Sequence, residues 1–183
     1  MLDIAFIDKM KHSPIHNYAV PGLTSWLIGA HTDKGCVRLF ECERDHVEPI
    51  IPHSHRFDLH CLVLAGTVRN VLWVTRPLAN VNVLSTQEDA YTATDHIYGG
   101  KCGEYKRGET KLVAAYRKTG SYSAGQTYGM KASEVHSIYF SKGAKVLFFE
   151  GPQLTDTNIV LEPFVAGETV PTFKVEPWMF TKE

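Results

Sequence analysis

The stretch "PHSHRFDLHCLVLAG", Pro52–Gly66, places three of the chain's nine histidines within eight residues and then becomes apolar. His53 and His55 are two residues apart, so on a strand they point to the same face, roughly 6.5–7 Å apart along the chain. Imidazole nitrogens at that spacing can converge on one ion, each about 2.0–2.1 Å from a metal such as zinc. The stretch therefore predicts half of a metal site at the start of a buried strand.

His136, in "SEVHSIYF", is the candidate third ligand. It opens a β-like run in which Ile138 and Phe140 share its face, so its imidazole would lie in line with core side chains. At the mouth of a barrel this histidine would meet His53 and His55. Each of the three could instead be an isolated histidine that hydrogen-bonds a neighbour, but their combination favours a site made of all three.

The rest of the chain alternates short β-like runs with turn signals, which is typical of a sandwich or small barrel. The runs are Thr24–Ala30, Gly35–Cys42, His60–Gly66, Thr67–Thr75, Lys111–Lys118, Ser121–Met130, Val135–Phe140 and Lys145–Glu150. "HTDK" before Gly35 and "SKGA" around Gly143 are predicted hairpin turns, and Gly66 predicts a bend or bulge. The best helical candidate, Met1–Lys11, is short. The sequence predicts one all-β domain over residues 1–183 with little helix.

The length, net charge and apolar runs of the chain limit the classes of function that it could have. The 183 residues suffice for one full-sized domain, and a formal net charge of −1 offers no field that would attract nucleic acid or an anionic membrane. Asp3 and Asp8 interrupt the apolar residues at the start of the chain, so a signal peptide is not expected, and no apolar run reaches the length of a membrane span. The expected location is the cytoplasm.

Two segments stand apart from the regular β-like pattern. Residues 86–107, "TQEDAYTATDHIYGGKCGEYKR", are polar and rich in glycine and tyrosine, and are predicted to leave the barrel; a hairpin is one form this excursion could take. Residues 153–183 carry Pro163, Pro171 and Pro177, which suits an extended tail on the outside of the barrel.

The two histidine segments resemble the motifs of the cupin superfamily. "HSHRFDLHCLVLAG" supplies the H-x-H and the closing Gly66 of the first motif, and "AGQTYGMKASEVHSIYF" resembles the second, with His136 in the ligand position. The resemblance covers about Gly35 to Pro152, and "KVLFFEGP" is similar to the closing strand of small cysteine-dioxygenase-like cupins. It implies a double-stranded β-helix, or jelly-roll barrel.

The first motif departs from the family at its usual glutamate. With three intervening residues the glutamate's position is taken by Leu59, and with four it is taken by His60. Strict alternation turns Leu59 toward the face of His53 and His55, whereas a bulge near Asp58 would turn His60 inward as a fourth ligand. A carboxylate ligand would have to come from Glu134, two residues before His136.

A three-histidine site without a carboxylate is what the resemblance associates with iron(II) in cysteine and thiol dioxygenases; zinc and nickel are also suited to imidazole ligands. The implied function is a metal-binding cupin, with an iron(II)-dependent dioxygenase acting on a small polar, thiol or carboxylate substrate as the leading hypothesis. His60 and Tyr128 are the candidate catalytic residues that would orient the substrate.

Other functions stay open. A metal-free epimerase or isomerase would use a histidine base with Tyr128 as its acid, and a binding barrel would hold a small molecule without turnover. Arg56, Arg69 and Arg117 flank the predicted pocket strands and could bind a carboxylate, although arginines are by default surface residues. No nucleic-acid or membrane partner is expected. A homodimer is expected, because cupins commonly pair through edge strands.

Overall fold

A computed structural model describes residues 3–29, 32–46, 50–79, 84–98 and 105–164. Strands make up 61% of these residues and helix 4%, so the all-β prediction is confirmed. The elements are α1 (Ile4–Lys9), β1 (His12–Ile15), β2 (Leu23–Leu27), β3 (Cys36–Cys42), β4 (Leu59–Ala65), β5 (Thr67–Pro77), β6 (Asp89–Tyr98), β7 (Tyr105–Ser123), β8 (Thr127–Met130), β9 (Val135–Phe140), β10 (Lys145–Glu150) and β11 (Thr157–Pro163).

The strands form two antiparallel sheets. One has the order β1-β2-β3-β10-β4-β8, and the other has the order β11-β6-β7-β5-β9. Strands that are adjacent in the first sheet, such as β3 and β10, are far apart in sequence. The chain crosses between the sheets repeatedly, as expected for a jelly-roll barrel.

The main core lies between the two sheets. Phe40 of β3 packs edge-on against Phe148 of β10, with ring centroids 4.5 Å apart, and stacks on Phe140 of β9 in the other sheet at 6.4 Å. Leu59, Val68 and further apolar residues complete this cluster. Burying each large apolar side chain contributes about 1.5–3 kcal/mol, so the facing sheets hold one another together.

The predicted turns have different outcomes. Strands β2 and β3 pair as a hairpin closed by the bridge between Thr32 and Gly35, which confirms the first turn. The second prediction is wrong: residues 141–144 join β9 to β10, and these strands lie in different sheets. Gly66, with φ at +68°, is the predicted bend, and it carries the chain from β4 in one sheet to β5 in the other.

Residues 86–107 contribute strands to the second sheet. Strands β6 and β7 pair as a long antiparallel hairpin, and β11, which the sequence had placed in the extended tail, pairs with the other side of β6. Residues 99–104 of the hairpin and 165–183 of the tail lie outside the described residues. Within the described part of the chain, no helix is long and apolar enough to cross a membrane.

Candidate metal centre

The H-x-H segment is held between two strands of the second sheet by backbone hydrogen bonds. The His53 N–H donates to the His136 carbonyl, and the His136 N–H donates to the His53 carbonyl, both at 2.8 Å. On the other side, the Ser54 N–H donates to the Ile159 carbonyl of β11 at 2.8 Å. The backbone therefore brings together histidines that are more than eighty residues apart in sequence.

The three imidazoles converge on one point. Their ring centroids are 4.7 Å apart for His53 and His55, 4.9 Å for His53 and His136, and 5.0 Å for His55 and His136. One nitrogen from each lies within 4.8 Å of the others. Two nitrogens bound to a single ion are at most about 4.2 Å apart, twice the bond length, so small movements of the rings would complete the site.

The outer nitrogens of two of these rings have hydrogen-bond acceptors. His53 Nδ1 lies 2.7 Å from the Ile51 carbonyl, and His136 Nδ1 lies 2.6 Å from Asn70 Oδ1. An imidazole that donates from Nδ1 keeps its lone pair on Nε2, which is the tautomer a metal ligand needs. The His55 and His136 Nε2 atoms are 2.8 Å apart, at the centre of the cluster.

Burial keeps the cluster neutral. Removal from bulk water lowers the pKa of His53 below its usual value. The pKa of His55 is well below the usual value because of burial and then the nearby His53, and that of His136 is well below it because of burial and then both neighbours. Neutral imidazoles with free lone pairs are suited to a divalent transition metal, so the residues present fit the ion.

The cluster lies on the wall of a cavity of about 330 Å³ between the sheets. Most of the remaining wall is aromatic or aliphatic, and it includes Tyr18, Phe40, Phe57, Leu59, Ile138, Phe140 and Phe148. Its polar side chains include Arg38, Arg56, Tyr98, Tyr105, Glu150 and Asn158. This volume is at the lower end of the range for small-molecule pockets, so the cavity can enclose one small organic molecule.

The structure shows which of Leu59 and His60, the two candidates for the position of the family's glutamate, faces the cavity. Leu59 is 2% exposed and lines the cavity, whereas His60, the next residue, is exposed beside Gly129 of β8. Asp58 fixes this register because its carboxylate accepts from the Ala132 N–H at 2.9 Å and from Lys131 Nζ at 2.8 Å. His60 is therefore not brought to the cluster.

Two other candidate residues also lie away from the three histidines. Glu134 is exposed, and its carboxylate accepts from the Lys131 N–H at 2.7 Å within the turn before β9. Tyr128 is 8% exposed, stacks on Tyr122 with centroids 4.5 Å apart, and does not line the cavity. Burial raises the pKa of the Tyr128 phenol well above its usual value, which makes it a poor acid at neutral pH.

Asn70 is the site residue that the sequence analysis missed. It is 4% exposed in the middle of β5, and its side chain bridges His136 and the sulfur of Met130, 3.5 Å from Asn70 Nδ2. The available signal was an uncharged polar residue within the apolar run "TVRNVLWV". A buried amide in such a run needs hydrogen-bond partners, and a histidine is one of the few that the core can offer.

The position of the histidines within the sheets agrees with the motif resemblance. The H-x-H pair precedes β4 of one sheet, the third histidine is on β9 of the other, and all three face the space between them. The described strands therefore form the jelly-roll arrangement of two facing sheets that the resemblance implied.

Comparisons with known proteins find only distant similarity to solved structures. No protein-family model matches the chain, and no curated protein does. Among solved structures, KdgF from Halomonas sp. is 16% identical, with a TM-score of 0.41 over 78% of this chain and 87% of its own. Pac13, a nucleoside dehydratase from Streptomyces, is 10% identical, with a TM-score of 0.44 over 86% of this chain and 89% of its own. Similarity at this level bears on neither ligand nor activity.

Proposed function

We propose that the chain binds a divalent transition metal through Nε2 of His53, His55 and His136, and uses iron(II) there as a dioxygenase of a small organic substrate. The observation that carries the proposal is the convergence of three imidazoles on one wall of a cavity between the sheets. Two of these imidazoles donate from Nδ1 to fixed acceptors, so their Nε2 lone pairs point to one centre.

Among the described residues, the group of side chains that could hold the ion contains no carboxylate. Glu134 is engaged in its own turn, and Glu150, the acidic residue that lines the cavity, is paired with Arg38 at 3.4 Å. A dication held by three neutral ligands keeps its full charge, which favours a substrate that binds through an anionic oxygen or sulfur. Iron(II) would supply the one-electron and dioxygen chemistry that protein side chains lack.

The protein's own part is positioning and exclusion of water. The His53–His136 backbone pair and Asn70 hold the ligands in place, and the mostly apolar wall would leave few polar groups to hold water beside the reacting groups. A dioxygenase places both atoms of dioxygen in its product, so the reaction balances without a further reductant. The epimerase alternative requires Tyr128 at the cavity, and Tyr128 is not there.

The first test is metal content. Protein made without a histidine tag should contain close to one equivalent of transition metal by elemental analysis. The double variant His53→Ala/His55→Ala should lose it, and His60→Ala, which removes an exposed histidine five residues away, should retain it. Unchanged metal in the double variant would contradict the assignment.

The second test is turnover. Protein loaded anaerobically with iron(II) should consume oxygen in a screen of small thiols, amino acids and 2-oxo acids, extended to carboxylates with apolar chains. Iron-containing protein that consumes no oxygen with any of them would favour the binding barrel over the enzyme.

A further inference from the structure

Arg56 is a cavity-lining cation without an acidic partner among the described residues. Its guanidinium lies over the ring of Tyr98, 3.8 Å from the centroid, and Nη1 donates to Gln153 Oε1 at 3.1 Å. Stacking on a tyrosine fixes the guanidinium plane but leaves its charge uncompensated. Most of its five N–H donors are therefore available to another molecule.

The other arginine of the cavity is already paired. Arg38 lies 3.4 Å from a Glu150 carboxylate oxygen and donates to Ser25 Oγ at 3.3 Å. Two arginines and one glutamate line the cavity, so with neutral histidines the described wall carries a net charge of 2 − 1 = +1. The excess positive charge is located at Arg56.

Most of the side chains that line the cavity together with this cation and the histidines are apolar. Phe57 stacks on the ring of His55 with centroids 5.7 Å apart, and Phe40, Phe140 and Phe148 form the wall behind them. A small, strongly hydrated anion would lose its water against this wall without compensation. An anion with an apolar body would instead gain contact with the wall and place its charged group at Arg56.

We propose that Arg56 binds the anionic oxygen group of the substrate, and that the cavity selects small amphipathic anions, with an aromatic or branched body, over neutral molecules of the same shape. This proposal deepens the function above, because it names the substrate class of the same cavity. It can be tested without any metal, since the Arg56 contact does not involve the histidines.

The experiment compares two probes that differ in charge. Binding of 4-phenylbutanoate and 4-phenylbutanamide to the full chain, stripped of metal with a chelator, is measured by calorimetry at low salt for wild type, Arg56→Gln and Arg69→Gln. Arg69 is the matched control, because it lies over the ring of Tyr139 at 3.9 Å in the same stacked geometry but does not line the cavity.

Wild type and Arg69→Gln should bind the carboxylate about tenfold more tightly than the amide, as expected for a charge-assisted hydrogen bond. In Arg56→Gln the ratio should fall to within about twofold, while the affinity for the amide stays unchanged and shows that the cavity is intact. An unchanged ratio in Arg56→Gln, or no binding of either probe to wild type, overturns the proposal. Because the protein is metal-free, loss of the metal assignment alone would leave this result standing.

Discussion

Asn70 determines which nitrogen of His136 faces the cavity. Its Oδ1 lies 2.6 Å from His136 Nδ1, and both side chains are buried, so the bond has no competition from water. If the acceptor is removed, the imidazole can exchange its tautomer or rotate, and the lone pair at Nε2 is no longer fixed.

Asn70→Leu should weaken metal binding by about 10–100-fold, because partners behind a metal ligand typically contribute that much. It should also lower the free energy of unfolding by about 1–3 kcal/mol, since a buried N–H is left unpaired. Competition with a chelator measures the first effect and denaturant unfolding the second.

Asn70→Asp serves as the control for that substitution. It restores an oxygen acceptor of the same size, so metal affinity should recover. Nitrogen-15 NMR of the imidazoles should show the Nδ1–H tautomer of His136 in wild type and in Asn70→Asp, and a mixture in Asn70→Leu. Equal metal affinity in all three proteins would show that the amide has a purely structural role.

The three histidines could be predicted from local features of the sequence, whereas Asn70 could not. The spacing of His53 and His55 and the inward alternation at His136 are local properties that the chain carries by itself. The contact of Asn70 with His136 depends on the register of β5 against β9, in which Asn70 pairs with Ile138 and Leu72 with His136. That register is set by packing of the whole sheet, and no local pattern specifies it.

Two of the corners where the chain changes sheets are bonded to each other and form one element. Gly66 joins β4 to β5, residues 141–144 join β9 to β10, and the corners bond reciprocally: the Thr67 N–H donates to Ser141 Oγ at 2.9 Å, and the Ser141 N–H donates to the Thr67 carbonyl at 3.0 Å. A β-carbon on Gly66 would lie 2.7 Å from Ala144 Cα. The corners can meet only because residue 66 has no side chain.

Substitution of two glycines with similar backbone angles separates crowding from backbone strain. Gly143, with φ at +77°, has no atom of the described residues within 4 Å of the position of an added β-carbon, whereas Gly66, at +68°, has backbone there. Gly143→Ala should cost about 1–2 kcal/mol for its left-handed angle, and Gly66→Ala should add about 1–3 kcal/mol for overpacking. Denaturant unfolding of both variants makes the comparison, and equal losses would mean that the corners do not press on each other.

Turn signals in the sequence predict where the chain bends, but not which strands pair on either side of the bend. Glycine and its neighbours indicate that the chain bends, so Gly35, Gly66 and Gly143 were all found at turns. They do not indicate whether the strands on either side pair, so the sequence alone predicts a hairpin at residues 141–144, where the structure has none. Strand β7 shows the opposite error, because it runs through Gly120 as one strand of 19 residues where two runs were predicted. Pairing of Gly120 with Asn70 of β5 keeps the ladder continuous.

For the whole molecule, the homodimer expected from the sequence stays a prediction. Strand β1 lies at the edge of its sheet, and beside it Phe6 of α1 is 61% exposed and Met10, just after α1, is 40% exposed. Pairing of two such edges would cover both the backbone and these side chains. Light scattering should give the mass of two chains for wild type and for Leu154→Glu, and a lower mass for Phe6→Glu. A single-chain mass for wild type would contradict the dimer.

Metal binding should be coupled to the stability of the entire fold. The three ligands join the segment before β4 to β9, so unfolding of the chain destroys the site and a metal that binds only the folded state stabilises it. Above the dissociation constant, each tenfold rise in free metal adds about 1.4 kcal/mol, and for a chain of this size 1 kcal/mol raises Tm by about 2–4 °C. We therefore expect Tm to rise by roughly 3–6 °C for each tenfold increase in buffered zinc.

Two variants test whether the rise of Tm with zinc comes from binding at the three clustered histidines. His55→Ala removes a ligand that is not fully buried, so the variant should fold and its Tm should no longer respond to zinc. His60→Ala should respond as wild type does, because His60 is exposed on the opposite face of the strand. A zinc response lost in His60→Ala and kept in His55→Ala would move the site to the exposed histidine, and a response equal in all three proteins would mean that zinc binds elsewhere on the molecule.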